Sequence, residues 1–268
     1  MDLLPALLLI AAVGAVAGIL AGLLGIGGGL VLVPALFWVY SHLGFPADAV
    51  MQFALGTSLA SILFTGFSSV RAHHAQGAVC WDLVGLMAPA LLLGAFAGSF
   101  LADAIGSAGL MRLFGVFAAV IGIRMLLPSR PASEDGNCGK SVAKPVHVAG
   151  GGVIGLASAL FGIGGGSLCV PYLNAVGVRI QQAVATSAAC GVPIAIAGAL
   201  GYVVTGWQQP APAGAVGYVY LPGLAAIVLA SMPMAGIGAR LAHRLPAVTL
   251  KRIFAVILLL VAADFLLA

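Results

Sequence analysis

The feature that most limits what this chain can fold into is the length of its uncharged stretches. Residues 3–47 contain no Lys, Arg, Asp or Glu. Further apolar stretches cover 49–70, 83–102, 113–127, 148–173, 180–205, 216–239 and 253–267. A helix of about 20 apolar residues crosses a hydrocarbon core of roughly 30 Å. The stretches are apolar on every side, whereas transmembrane strands alternate, so the sequence predicts an all-α polytopic membrane protein.

Composition excludes the soluble classes of protein. Only 7% of the 268 residues are charged and 62% are hydrophobic, whereas soluble proteins carry roughly 25% charged residues. Cytosolic enzymes, nucleic-acid binders and disordered scaffolds are therefore excluded, and the lipid bilayer is the expected partner. The N-terminus has Asp2 and no basic residue before Arg71. Because a secretory signal begins with a basic region, we predict a retained membrane segment.

The sequence contains an internal repeat on either side of a polar linker at 128–147. GLLGIGGGLVLVP, ending at Pro34, recurs as ALFGIGGGSLCVP, ending at Pro171, at an offset of 137. Gln52–Ser58 resembles Gln181–Ser187 at an offset of 129, and 77–127 aligns with 217–267 at an offset of 140. We therefore predict a first membrane repeat at 1–127, a linker at 128–147 and a second membrane repeat at 148–268.

Each GIGGG segment interrupts an apolar run, and the piece after it is long enough for only about half a bilayer. We therefore predict that 3–40 and 148–174 are hairpins of two helices broken at a glycine turn, each followed by three transmembrane helices. If the hairpins return to their starting side, one side holds ten basic residues and the other holds Arg112 alone. Those ten are Arg71, Arg124, Arg130, Lys140, Lys144, Arg179, Arg240, Arg244, Lys251 and Arg252.

The positive-inside rule places that basic side in the cytoplasm. The linker at 128–147 is then cytoplasmic and both termini are extracytoplasmic. An odd number of crossings in each repeat inverts the second repeat relative to the first. Inverted repeats with discontinuous helices near the midplane are typical of secondary transporters.

The glycine turns are the candidate substrate site. Irregular backbone at membrane depth is tolerated only where it lines a cavity or is buried in protein. Helices that begin after Gly27 and Gly164 would point their positive ends at the midplane, which suits an anion without any basic side chain. The alternative is that the glycines only permit close helix packing. The candidate glycines are Gly25, Gly27, Gly28, Gly29, Gly162, Gly164, Gly165 and Gly166.

Two repeated hydroxyl pairs complete the candidate site. Thr57-Ser58 and Thr186-Ser187 lie inside apolar spans at matching positions of the two repeats. They are placed to donate hydrogen bonds to an anion's oxygens. The alternative is that they bond a carbonyl of the preceding helical turn and have no other role.

Intramembrane proton and metal chemistry is not indicated. No Lys, Arg, Asp or Glu falls at the predicted midplane of a span, so a carboxylate proton relay is not visible. His73 and His74 are adjacent and would not face the same way on a helix, which argues against a metal site. No cofactor is expected.

The cysteines and one serine also fail to indicate an enzyme. The four cysteines have no metal-binding spacing, and Cys138 lies in the predicted cytoplasmic linker, where no disulfide is expected. Cys169 and Cys190 are interpreted as small buried side chains. Ser167 beside the second GIGGG could serve as a protease nucleophile, but no span supplies a histidine base at that depth. We therefore predict that the chain is not an enzyme.

Besides the doubled glycine motif, three segments of the sequence are characteristic: ALGTSLASILFTGFSSVRAHHAQGAV, VATSAACGVPIAIAGALGYVVTGW and GARLAHRLPAVTLKRIFAVILLL. With these features the chain resembles the sulfite exporter TauE/SafE family over essentially its whole length. The resemblance implies a multi-pass transporter of the bacterial inner membrane for sulfite or organosulfonates. It implies substrate contacts at Gly25–Gly29 and Gly162–Gly166 with the two hydroxyl pairs. The repeats differ where Leu30 is replaced by Ser167, and where Gly56 is replaced by Ala185.

The sequence thus predicts a secondary transporter of a small anion, sulfite or a sulfur oxyanion, that works by alternating access and can form homo-oligomers. An anion channel is the nearest alternative and predicts flux without saturation or counterflow. A non-transporting scaffold is the second alternative and predicts a tightly packed glycine seam without a polar site.

Overall fold

The computed structural model describes residues 3–24, 28–127, 138, 143–242 and 247–267. The helices of these ranges are α1 Leu3–Leu24, α2 Gly29–His42, α3 Val50–Ala75, α4 Trp81–Leu126, α5 Lys144–Phe161, α6 Gly166–Ala175, α7 Ile180–Thr205, α8 Leu221–Ala242 and α9 Ala247–Leu267. Four of them, α3, α4, α5 and α7, are long and apolar enough to cross a membrane. The fold is that of a helical membrane protein.

A helix break occurs at the second glycine motif, as the sequence predicts, and α2 begins inside the first motif. α1 ends at Leu24 and α2 begins at Gly29, with 25–27 outside the described residues. α5 ends at Phe161 and α6 begins at Gly166. α2 has 14 residues and α6 has 10, so at 1.5 Å per residue they span about 21 and 15 Å. Neither is long enough to cross the bilayer.

α4 contains two spans joined at Gly106. This residue has φ 76° and ψ 167°, a conformation outside the helical region that glycine adopts without steric cost. The turn is anchored to the loop before α3, because Ser107 N donates to the Asp48 carbonyl at 3.3 Å and Met51 N donates to Ser107 Oγ at 3.1 Å. The predicted spans 83–102 and 113–127 lie on either side of this break.

A short β-hairpin precedes α8 and departs from the all-α prediction. β1 (Ala215–Val216) pairs antiparallel with β2 (Val219–Tyr220). Gly214 and Gly217 have φ of 86° and 54°, which a helix does not accommodate. The apolar run at 216–239 therefore begins as a strand, and its helix starts only at Leu221.

α1 packs along α8 through glycines. A Cβ added at Gly14 would lie 2.9 Å from the Cα of Ile227, and one added at Gly18 would lie 2.5 Å from the Ser231 carbonyl oxygen. From the first contact to the second, the position advances by four residues along α1 and by four residues along α8. α1 and α8 therefore run in the same direction and approach at backbone distance.

α5 packs along the first span of α4 in the same manner. A Cβ at Gly151 would lie 3.1 Å from the Met87 carbonyl oxygen, and one at Gly155 would meet the Leu91 carbonyl oxygen. These contacts occur at positions equivalent to those of α1 and α8. The equivalence follows from the offsets of the sequence repeat, 137 for the glycines and 140 for their partners.

α3 and α7 cross in opposite directions. The Cβ position of Gly198 lies 2.8 Å from Leu59 Cδ1, and that of Gly66 lies 3.6 Å from Val192 Cγ2. The contact therefore moves backward along α7 as it moves forward along α3. The second span of α4 meets α9 in the same antiparallel sense, because Gly115 packs against residues 265–266 of α9 and Gly122 packs against residues 255–259.

The outer surface of these helices is apolar. Leu93, Val153 and Leu229 are 73%, 69% and 77% exposed. A soluble protein rarely exposes contiguous apolar surface on this scale. The exposed leucines and valines are the lipid-facing surface of a membrane protein.

The structure contradicts the prediction that Cys138 forms no disulfide. Cys138 is bonded to Cys80, with 6.0 Å between their Cα atoms. This separation is within the range that disulfides require. The bond joins the linker to the residue immediately before α4, so the two segments lie at the same end of the molecule.

Candidate functional site

The second glycine turn, Gly162–Gly165, has three positions that suit only glycine. Gly162 and Gly165 have φ of 62° and 79°, the left-handed region that disfavours other residues. The Cβ position of Gly164 lies 2.6 Å from Ile62 Cγ2 of α3, and the Gly164 carbonyl oxygen meets Gly191 of α7. The turn is therefore enclosed between α3 and α7.

The two glycine motifs meet each other inside the protein. A Cβ at Gly29, the first residue of α2, would contact the Gly162 carbonyl oxygen and would lie 3.1 Å from the Ile163 Cα. Gly28 caps α2 with ordinary helical dihedrals, and a Cβ added there would lie 3.2 Å from the Ala17 carbonyl oxygen. The remaining predicted glycines of the first motif, Gly25 and Gly27, lie outside the described residues.

The start of α6 presents backbone N–H groups to the second turn. The Gly165 carbonyl accepts from Leu168 N at 3.0 Å and from Cys169 N at 2.6 Å. Gly165 caps the helix without a side-chain hydrogen bond. In the described parts of the chain, the N–H groups of Gly166 and Ser167 donate to no backbone carbonyl, as is normal for a first helical turn. These amides carry the positive end of the helix dipole.

The two predicted threonines make long-range bonds at equivalent places. Thr57 Oγ1 accepts from Tyr220 N at 3.1 Å, and Thr186 Oγ1 accepts from Cys80 N at 3.0 Å. Cys80 and Tyr220 are related by the repeat offset of 140, and each immediately precedes a helix. Each threonine thus holds the start of a helix from the other sequence repeat. The sequence alone did not indicate these partners.

The two predicted serines use their protons in different ways. Ser58 Oγ donates to the Gly162 carbonyl at 2.8 Å and so ties α3 to the second glycine turn. Ser187 Oγ donates to the Val184 carbonyl of its own helix at 2.8 Å, the alternative that the sequence left open. A hydroxyl has one proton to donate, so both serines have used theirs, whereas Thr57 and Thr186 act here as acceptors.

Two further hydroxyls lie at the second turn. Ser158 is fully buried and Ser167 is 9% exposed, and neither Oγ has a hydrogen-bond partner among the residues that the structure describes. The Cβ position of Gly165 is 4.0 Å from Ser158 Oγ and 3.6 Å from Cys169 Sγ. Sequence reasoning did not single out Ser158. Its position one helical turn before a predicted glycine break was the signal that could have identified it.

Other candidate groups lie elsewhere. His74 Nδ1 accepts from Trp81 Nε1 at 3.1 Å at the end of α3. Within the described ranges, no three His, Cys, Asp or Glu side chains gather as a metal site. A cavity of about 260 Å³ opens near the Gly106 turn, lined by Phe37, Ser41, Phe45, Ala47, Val50, Ser107, Ala108 and Met111. This cavity is lined by none of the predicted site residues.

Comparison with known proteins gives the family. The family model for the sulfite exporter TauE/SafE matches residues 10–265. The chain belongs to the sulfite exporter TauE/SafE family. A probable membrane transporter protein of Haemophilus influenzae is 38% identical over 262 residues, 97% of this chain and 98% of the relative. One from Methanocaldococcus jannaschii is 30% identical over 231 residues, 85% of this chain and 80% of the relative. This TauE/SafE member is thus a membrane transporter by family.

Proposed function

We propose that this TauE/SafE member is a secondary transporter that moves a small anion, sulfite or another sulfur oxyanion or organosulfonate, by alternating access. The observation that carries the proposal is the buried meeting of the two glycine motifs. There the α6 amides face a turn in which all residues but Ile163 are glycines. A helix N-terminus of this kind binds anions, and the absence of a basic side chain permits release.

The direction of equivalent helices supports an inverted repeat. α3 and α7 occupy matching places in the two sequence repeats and pack antiparallel, and the second span of α4 and α9 do the same. Two equivalent helices run in opposite directions when the axis relating them is perpendicular to both. For membrane-spanning helices that axis lies in the membrane plane, which is the relation found in many transporters.

The reciprocal contacts also favour a two-fold relation. Where residue i of one unit contacts residue j of the other, symmetry requires j of the first to contact i of the second. The α1–α8 glycine contacts recur as the α5–α4 contacts, and the Thr57–Tyr220 bond recurs as Thr186–Cys80. We infer two repeats, 1–127 and 148–268, joined by the linker at 128–147. Equivalent residues of each repeat make equivalent contacts with the other repeat.

The orientation in the inner membrane follows from charge. Ten of the eleven basic residues lie in the segments 71–79, 124–147, 174–180 and 240–252. These segments share one side of the membrane in the proposed topology, and the positive-inside rule assigns that side to the cytoplasm. Both termini are then extracytoplasmic. The meeting point of the glycine motifs lies between these two sides, where a bound anion can be exposed to each in turn.

The test is counterflow in proteoliposomes loaded with sulfite and challenged with sulfite, sulfoacetate, thiosulfate, acetate and chloride. Saturable exchange confined to the sulfur oxyanions supports a carrier. Flux that rises linearly with concentration and shows no counterflow would favour the anion channel. No flux for any anion, from protein that is folded and inserted, would contradict the proposal and favour the scaffold.

A further inference from the structure

Ser158 and Ser167 lie beside the start of α6 and are buried hydroxyls for which the described part of the chain offers no hydrogen-bond partner. Burying a hydroxyl without a partner lowers the stability of the folded state. Most buried polar side chains avoid that cost, and here two such groups lie within ten residues of each other. Such a pair indicates a ligand that satisfies both.

The geometry places the Ser158 hydroxyl next to the residue that caps α6, and Ser167 within the first turn of that helix. Ser158 Oγ lies 4.0 Å from the point that a Gly165 side chain would occupy, and Gly165 is the cap of α6. Ser167 is in the first turn of the same helix, where its own N–H and that of Gly166 have no backbone acceptor among the described residues. Two hydroxyls and two amides therefore lie at one helix start.

The first glycine motif lacks this polar set. The sequence counterparts of Ser158 and Ser167 are Ala21 and Leu30 at the offset of 137. Leu30 is 1% exposed and belongs to the hydrophobic core. The two motifs are alike in glycine but differ in hydrogen-bond donors, so their affinities for an anion must differ.

Resting on the transport function above, we propose that the oxyanion group binds at the α6 start alone, held by the hydroxyls of Ser158 and Ser167 together with the α6 amides. The first motif then serves as an apolar wall. Four donors at one helix start match a sulfite or sulfonate group, which has three oxygens to be satisfied.

The experiment compares Ser158→Ala, Ser167→Ala and the double variant with wild type in detergent and in proteoliposomes. The matched control is Ser231→Ala, because Ser231 is 4% exposed and also lacks a partner within the described ranges but packs against α1. The readouts are the sulfite and sulfoacetate concentrations that half-saturate counterflow, and the rise in Tm that each anion produces. Binding to the folded state raises Tm.

Each single variant is expected to raise the half-saturating concentration at least tenfold and to abolish most of the anion-dependent rise in Tm. Without anion, the Tm of these variants should equal or exceed that of wild type, because each removes an unsatisfied hydroxyl. Ser231→Ala should keep wild-type affinity.

Wild-type affinity in the double variant, or an equal loss in Ser231→Ala, would overturn this assignment while leaving the transport function intact. Absence of both counterflow and anion-dependent stabilisation in wild type would instead overturn the transport function, and the assignment with it.

Discussion

At the residue scale, the hydroxyls of this transporter differ in whether they donate or accept hydrogen bonds. Ser58 and Ser187 donate to carbonyls, whereas Thr57 and Thr186 accept from the backbone of the opposite repeat. The sequence located the threonines because they recur, but it could not reveal their partners. Those partners are 163 and 106 residues away along the chain.

Thr186→Val is expected to lower the free energy of unfolding by about 1–3 kcal/mol, because the buried Cys80 N–H loses its acceptor. Thr186→Ser keeps an oxygen in place and serves as the control, with a smaller loss. Thermal unfolding in detergent measures both. Equal Tm values for the valine variant and wild type would mean that the bond contributes nothing.

The glycines of the two motifs are expected to differ in their tolerance of a side chain. Gly165 has φ of 79° and a Cβ added there would lie 2.8 Å from Ile194 Cδ1, whereas Gly28 has φ of −71°. Gly165→Ala should therefore destabilise the protein by at least about 1–2 kcal/mol, the cost of a left-handed residue. Gly28→Ala should cost less. Tm values in detergent test this order, and a larger loss at Gly28 would contradict it.

At the element scale, the sequence predicted the second helix break correctly because the cause is local. Glycine lowers helix propensity, the second break lies where Gly162 and Gly165 adopt left-handed dihedrals, and the repeat marked this position. The β-hairpin before α8 was missed because Val216–Tyr220 is apolar enough to be read as the start of a span. Its strand conformation depends on Gly214 and Gly217, and on Tyr218 N donating to the Tyr202 carbonyl at 3.1 Å.

The contact between α5 and α4 depends on glycine at the positions that face α4 and not elsewhere. Gly155→Ala should destabilise the protein by about 1–3 kcal/mol, because its Cβ meets the Leu91 carbonyl oxygen and overpacks the contact. Gly152→Ala is the control in the same helix, since nothing lies within 4 Å of its Cβ position. Helix propensity then favours alanine by up to about 1 kcal/mol. The unfolding temperature in detergent should fall for Gly155→Ala and rise for Gly152→Ala.

At the scale of the whole molecule, charge and disulfide chemistry both bear on which side of the membrane the linker occupies. The two cysteines of the Cys80–Cys138 bond lie next to and within the loops assigned to the cytoplasm by their basic residues. Cytoplasmic thiols are kept reduced, whereas exported segments form disulfides. The proposed orientation therefore requires that this pair, although close enough to bond, exist as two thiols in the living cell.

We expect Cys80 and Cys138 to be reduced in cells whose thiols are trapped at once with acid and a maleimide mass tag, and to form the bond after oxidant is added to isolated membranes. An impermeant maleimide should label them only after the inner membrane is opened. Cys169 and Cys190 are buried and should stay unlabelled in the folded protein, and a Cys138→Ser variant identifies the band. A bond already present in trapped cells, or labelling of intact spheroplasts, would place the basic loops outside and reverse the orientation, because neither result is compatible with a cytoplasmic linker.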